Sequence, residues 1–341
     1  MKLTNIFFEV YKKFIFMLPP EKAHEVSLYF AEKIYSSYLK RFLLPKINSH
    51  NETIMGIDVP NKLGLAAGFD KNGDYINFIT NIGFGFVELG TVTPKPQFGN
   101  PRPRVFRIKH DQAIINRLGF NNKGVNYLKN KLLKIDRNIP IGINIGKNST
   151  TKIEKAHEDY QYCMEQIFFL ADYITLNISS PNTKNLRDLH SKDSLNSFLK
   201  HIKNKHDVLK KKYHKHVPLV LKVSPDIQDN NLESFCRIAI DYEIDGIIAT
   251  NTTIDKSVLN DKYINAEGGI SGKPLLDKSN NVIKAIKDQV GNKIKIIGTG
   301  GITSQQSALS KLQCGADLIQ MYTGLVYKGT NLISEITSNI K

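Results

Sequence analysis

The chain has 341 residues, 41% of them hydrophobic, and a formal charge of +15 from 47 basic and 32 acidic side chains. That length exceeds the usual single-core domain, yet α/β barrels reach it as one domain with appendages. The basic excess is 39 Lys and 8 Arg scattered through the expected helices and loops, a pattern of solvated helix faces that argues against nucleic acid and suits an anionic membrane surface or small anionic ligands.

Residues 1–45 carry Phe7, Phe8, Tyr11, Phe14, a Pro19-Pro20 break, then Tyr29, Phe30, Tyr35 and Tyr38, interleaved with lysines at spacings of three and four. This predicts two short amphipathic helices rich in aromatics, able to lie in a membrane interface or to dock on a barrel. The apolar stretch Phe14 to Leu18 is too short for a signal-peptide core and has no small-residue cleavage site after it. No apolar run approaches the roughly 20 residues that span a bilayer. Cys163, Cys236 and Cys314 are far apart in helix-like contexts and read as reduced core residues, so neither a metal site nor a disulfide frame is expected.

Residues 46–341 form the second expected domain. Thr53 to Val59, Pro60-Asn61 and Lys62 to Ala66 predict a starting hairpin. Eight apolar runs then end in polar or Gly-rich rims: 63–68, 84–93, 139–146, 173–180, 217–224, 246–252, 293–301 and 316–323. Helical periodicity separates most of them. Buried-type strands alternating with helices are the mark of a parallel sheet, and eight units indicate an α/β fold of the (β/α)8 barrel type, with an open doubly wound sheet as the alternative.

In such a barrel chemistry belongs at the C-terminal strand ends. Those ends supply Ala67 to Lys71, Thr91, Asn144, Asn177 to Ser180, Lys222, Thr250 to Thr252, Gly301, and Tyr322 to Gly324. No His and no carboxylate cluster is among them, which speaks against hydrolytic triads and His-rich metal sites. Gly298-Thr299-Gly300-Gly301 and Tyr322-Thr323-Gly324 follow the last two strands, where backbone N–H groups commonly cradle a phosphate. Gly268 to Gly272 reads as a further flexible, anion-contacting loop. Lys222, buried in Leu219 to Val223, needs a partner for its ammonium, and a bound ring would relieve that cost. His201, His206, His214 and His216 lie in a lysine-rich stretch and read as solvated surface.

Several long motifs carry a specific resemblance. Ala66 to Lys71, Gly99 to Arg107, Asn116 to Asn122, Asn177 to Thr183 and Gly268 to Gly272 resemble the motifs of dihydroorotate dehydrogenase, closest to its membrane-associated, quinone-reducing class 2. The resemblance covers essentially the whole chain, N-terminal helices included. It implies FMN held by Ala67, Gly68, Phe69, Asp70, Lys71, Thr91, Asn144, Asn177, Lys222, Thr250, Gly272, Gly301, Tyr322 and Thr323. It implies dihydroorotate held by Lys71, Asn116, Arg117, Leu118, Gly119, Phe120, Asn177, Asn182, Asn251 and Thr252.

By the same resemblance Ser180 takes a proton from C5 of dihydroorotate while hydride leaves C6 for FMN, giving orotate for pyrimidine biosynthesis. Serine is a weak base, so a relay is expected, with Thr183 and a water the nearest candidates. The soluble class carries cysteine where this chain has Ser180. That difference favours ubiquinone or menaquinone as acceptor over fumarate or NAD, with His24, Arg107 and Tyr322 along the quinone route. The protein is then expected as a monomer, peripheral on the cytoplasmic face of a bacterial inner membrane. A phosphate-binding module without turnover is the non-enzyme alternative.

Overall fold

The computed structural model describes residues 3–38, 51–260 and 265–340; the expected domain boundary at 45/46 falls outside the described residues. In chain order the strands are β1 (Glu52–Ile54), β2 (Ile57–Val59), β3 (Leu63–Leu65), β4 (Phe86–Val92), β5 (Val105–Ile108) and β6 (Ala113–Asn116). There follow β7 (Ile141–Ile145), β8 (Tyr173–Asn177), β9 (Leu219–Val223), β10 (Gly246–Ala249), β11 (Gly269–Gly272), β12 (Lys295–Thr299) and β13 (Leu318–Met321). β3, β4, β7, β8, β9, β10, β12 and β13 close into one parallel barrel, each within one of the eight predicted runs. The open-sheet alternative is thereby removed.

Side chains alternate along each strand, so every second residue points to the barrel axis. The lower axis is apolar: Phe86, Tyr173, Val220, Ile248, Ile297 and Leu318 pack on Ile54 and Val59 of the β1–β2 hairpin, which plugs the N-terminal end. That hairpin turns at Met55-Gly56, both with positive φ (54° and 73°), not at Pro60-Asn61. A two-residue turn with both centres left-handed matches strand twist, which is why it wins over the proline signal.

The opposite end is covered by an antiparallel sheet, β5-β6-β11. Gly268 to Gly272, expected as a flexible loop, is therefore largely an ordered strand whose Gly269 to Gly272 register on Asn116 to Ala113. Helices α1 (Leu3–Ile15) and α2 (Pro20–Tyr35) stand beside this end as the predicted extension. α2 docks through Ala23 and Leu28, which are buried, and through Glu32, whose carboxylate accepts from Phe78 N and Asn77 Nδ2 at the start of helix Ile76–Asn81. Glu21 pairs with Arg104 at 2.6 Å, and Arg102 joins it. Phe14, Met17 and Phe30 remain 68%, 80% and 60% exposed. No helix among the described residues is long and apolar enough to cross a membrane.

Candidate active site

The polar half of the axis lies just above the apolar plug, where inward positions of β7 and β8 meet Thr91, which is brought to them by the register shift between Gly90 and Val92 on β4. Thr91 Oγ1 donates to Asn144 Oδ1 at 2.5 Å. Asn177 Nδ2 donates to Thr91 Oγ1 at 3.0 Å and Asn144 Oδ1 at 3.1 Å, so β4, β7 and β8 are tied by three side chains. Asn251 Nδ2 extends the network to Asn177 Oδ1 (3.2 Å) and Ser179 Oγ (3.0 Å). Such fixed amides present a defined set of donors and acceptors to a planar ligand.

Beneath them lies a residue the sequence reading missed. Glu88 is fully buried and accepts from Asn144 Nδ2 (2.8 Å), Gln320 Nε2 (2.9 Å) and Tyr173 OH (3.1 Å). Lys222 Nζ stands 4.0 Å from its Oε1, the oxygen that accepts from Asn144. Burial holds the Lys222 ammonium below its ordinary range and Glu88 opposes that. A buried carboxylate with three donors and a cation nearby is a satisfied group, and it anchors both Asn144 and Lys222.

The substrate side faces the β5-β6-β11 sheet. Ser180 is buried, and its Oγ accepts from Asn182 N at 3.3 Å. Asn182 Nδ2 reaches back to Asn116 O at 3.0 Å, joining the β8 loop to β6. Arg187 braces the same loop, donating to Ser179 O (3.1 Å) and Thr252 O (2.9 Å) while pairing with Asp226 at 3.0 Å. Lys71 forms no ion pair among the described residues, and burial brings it down to about 8 with Arg104 adding to the effect. Asp70 beside it caps the following turn, accepting from the backbone N–H of Asn72, Asp74 and Tyr75.

At the β12 and β13 ends, Gly300 and Gly301 take φ of +106° and +82°. A Cβ on Gly301 would lie 2.4 Å from Leu276 Cα, so only glycine lets this loop pass. Ser271 Oγ meets Thr323 Oγ1 at 2.9 Å, linking β11 to the start of helix Thr323–Lys328.

On the helix side His24 Nε2 lies 2.8 Å from Phe69 O. Its ring meets Phe69 edge-on at 5.0 Å, and Phe69 meets Tyr322 likewise at 5.4 Å, an aromatic ladder from α2 to the barrel mouth. Burial, with the nearby Lys71 charge, pushes His24 down to about 4, so it is neutral. Arg107 donates to the carbonyls of Phe16 and Leu18 and sits over the Phe16 ring at 4.4 Å, pinning the turn after α1.

One cavity of about 770 Å³ joins all of this, running from Tyr11, Phe16 and His24 between the two helices to Lys222 and Gly301 in the barrel. The predicted residues line it with three exceptions. Asn144 lies one layer below, holding Thr91. Thr183 is buried beyond the Ser180 turn. The Arg117 guanidinium turns outward to Pro103 O at 3.0 Å. The wall also holds Gln320, whose Oε1 is buried without a partner. An orphaned acceptor beside a lysine and three carboxamides fits a ring bearing N–H and carbonyl groups, and the volume admits a flavin mononucleotide with a small substrate.

The lysine-rich histidines are not all solvated. His206 is buried with Nε2 2.8 Å from Val217 O, while His216 meets Asp245 at 2.9 Å. Cys163 and Cys236 are buried free thiols in helices and Cys314 is half-buried. No metal-binding cluster of His, Cys, Asp or Glu occurs among the described residues.

Residues 49–341 match the family model described as dihydroorotate dehydrogenase. A Buchnera aphidicola (subsp. Schizaphis graminum) protein named dihydroorotate dehydrogenase (quinone) is 48% identical over 336 residues, 98% of this chain and 100% of that one. A Neisseria meningitidis serogroup A protein of the same name is 47% identical over 327 residues, 95% of this chain and 96% of that one. The crystal structure of ligand-free DHODH from Eimeria tenella superposes with a TM-score of 0.85 at 33% identity, covering 94% of this chain and 93% of that one.

Proposed function

This chain belongs to the dihydroorotate dehydrogenase family, and we propose that it oxidises (S)-dihydroorotate to orotate in pyrimidine biosynthesis, with FMN in the barrel mouth and a membrane quinone as final acceptor. The observation that carries this reading is the single cavity with two unlike ends, amide- and lysine-lined inside the barrel and aromatic between α1 and α2. FMN bound there would supply a two-electron acceptor for the hydride from C6, with a quinone, ubiquinone or menaquinone, as the final oxidant.

The chain's own residues do the rest. Lys71 meets the substrate carboxylate, its half-buried ammonium, without an ion pair among the described residues, gaining a partner. Asn116, Asn177, Asn182 and Asn251 match the ring's amide edges, and leaving those carboxamides unpaired disfavours analogues without such edges. Ser180 Oγ receives the C5 proton as its own hydroxyl proton passes through a water to Thr183, and Asn182 N–H, 3.3 Å away, stabilises the negative charge that develops on the oxygen as that proton leaves. Lys222, supported by Glu88, supplies positive charge beside the flavin ring, while Thr91 and Asn177, both held from below by Asn144, fix its edge. Ala67 to Lys71, Thr250 and Gly272 complete that cradle. Gly301, Tyr322 and Thr323 hold the phosphate.

Quinone enters between the helices, passing Arg107, His24 and Tyr322. The exposed Phe14, Met17 and Phe30 lie in the interface of a bacterial inner membrane, on its cytoplasmic face, as a monomer whose residues 1–45 serve access and 46–341 catalysis. Purified protein should be yellow and should bleach when dihydroorotate is added without oxygen. Reoxidation by a water-soluble quinone, and not by fumarate or NAD, is the expected second half. A colourless preparation would reject the flavin assignment, and turnover with fumarate alone would reject the quinone.

A further inference from the structure

Lys311 lies outside the cavity, on helix Gln305–Gln313, and is fully buried. Its Nζ donates to Ser279 Oγ at 2.6 Å and Asn280 Oδ1 at 3.1 Å. The single Ser279 hydroxyl proton is shared between Leu276 O (2.9 Å) and Gly300 O (3.1 Å). Gly300 and Gly301 form the cavity wall, so one face of this loop meets the cavity and the Gly300 carbonyl on it is held by a buried lysine through one serine.

Among the described residues Lys311 forms no ion pair; its Nζ partners are Ser279 and Asn280. The titratable groups that bear on it are Asp277, exposed in the first turn of helix Leu276–Val290, and Cys314 just past its own helix. Lys284 and Asp288 are exposed on helix Leu276–Val290, and several other charges on the elements packed around Lys311 are engaged elsewhere. Lys278 pairs with Asp226 and Asp255, Lys287 reaches Asn292, and Lys295 and Asp317 below β12 and β13 pair with each other. Glu335 accepts from Gln305 N at the far end of the helix. Burial brings Lys311 down to about 7. A buried ammonium without a counter-charge is costly and sheds its proton unless an anion comes near.

We propose that Lys311 is a positioning residue for the ligand's phosphate: it holds Gly300 through Ser279, and it takes up a proton from solvent when a phosphate group binds the Gly300–Gly301 loop. The inference rests on the FMN reading above and adds a charge that this reading does not use.

The test compares FMN with riboflavin, which has the same ring and no phosphate. Full-length protein freed of flavin would be titrated with each by fluorescence quenching from pH 6 to 9. FMN affinity should fall with a slope approaching tenfold per pH unit above pH 7, as one-proton linkage requires, and riboflavin affinity should lack that slope. K311M should flatten the FMN slope and weaken FMN about tenfold at pH 7, through loss of a nearby positive charge and of its hold on Gly300, while leaving riboflavin within about twofold. S279A, which keeps the lysine and cuts its link to Gly300, should weaken FMN without affecting riboflavin. Equal losses for both flavins in K311M would make Lys311 a packing residue and overturn the inference. An unchanged FMN slope in K311M would do the same. Failure of the unmodified chain to bind either flavin would instead remove the FMN reading itself, and this role with it.

Discussion

Glu88→Gln changes one oxygen on the barrel axis and strands a cation. At 4.0 Å and an effective dielectric near 20, the attraction between Glu88 and Lys222 is about 4 kcal/mol. That falls within the roughly 3–5 kcal/mol lost when one partner of a buried pair is removed. Glutamine cannot compensate. Asn144 Nδ2, Gln320 Nε2 and Tyr173 OH all donate to Glu88, so the new amide N–H₂ opposes a donor and costs a further 1–3 kcal/mol or so. For 341 residues, at about 2.1 cal/mol/K of unfolding entropy per residue, the 4 kcal/mol alone lowers Tm by roughly 6 °C. The assay is a double-mutant cycle of E88Q, K222M and E88Q/K222M, followed by thermal melts on flavin-free protein. With Lys222 gone the Glu88 charge no longer has a cation to lose, so the double variant should be more stable than the two singles predict, by at least about 2 kcal/mol. A coupling below about 0.5 kcal/mol would show the two sites to be independent and refute the pairing.

Other consequences follow from single groups. Ser180→Ala should keep the protein yellow yet slow dihydroorotate-driven bleaching by at least about 100-fold, the weight of a general base; bleaching at the normal rate would relieve Ser180 of that role. Lys71 must be charged to hold a carboxylate, and burial sets it at about 8, so KM for dihydroorotate should be flat below pH 8 and rise by up to about tenfold per pH unit above it. A KM that stays level to pH 10 would contradict this. His24 is held at about 4 in the fold against 6.5 when exposed. Because the unfolded chain then binds the extra proton, stability should fall as pH drops from 6.5 to 4, by about 3 kcal/mol, an effect absent in His24→Phe. Equal acid sensitivity of the two proteins in denaturant melts would exclude it. Deleting residues 1–38 should cut quinone reduction and binding to anionic vesicles while sparing the dihydroorotate half-reaction, and unchanged quinone kinetics would refute the passage between the helices.

The barrel was legible because each buried parallel strand is a short apolar run ending in a polar rim, a pattern set by local sequence. What escaped notice depended on partners distant in the chain. Gly269 to Gly272 has the composition of a loop and becomes a strand through backbone bonds to Ala113 to Asn116, which no side-chain pattern announces. His206 sits among lysines and is buried because Val217 O lies 2.8 Å from its ring. Glu88 and Lys311 failed for a sharper reason. Alternation and helical periodicity tell which face a residue occupies, and a charge is then assigned to water by default; Glu88, however, faces inward by its own register, two residues above the buried Phe86 of the same strand. A carboxylate at an inward position of a buried strand needs donors that only other strands can supply, here Asn144, Tyr173, Gln320 and Lys222 from four of them. The inward charge was therefore readable as a demand for partners even though their identity was not, and the same demand made by Lys311 on its helix is what directs attention to the loop at Gly300.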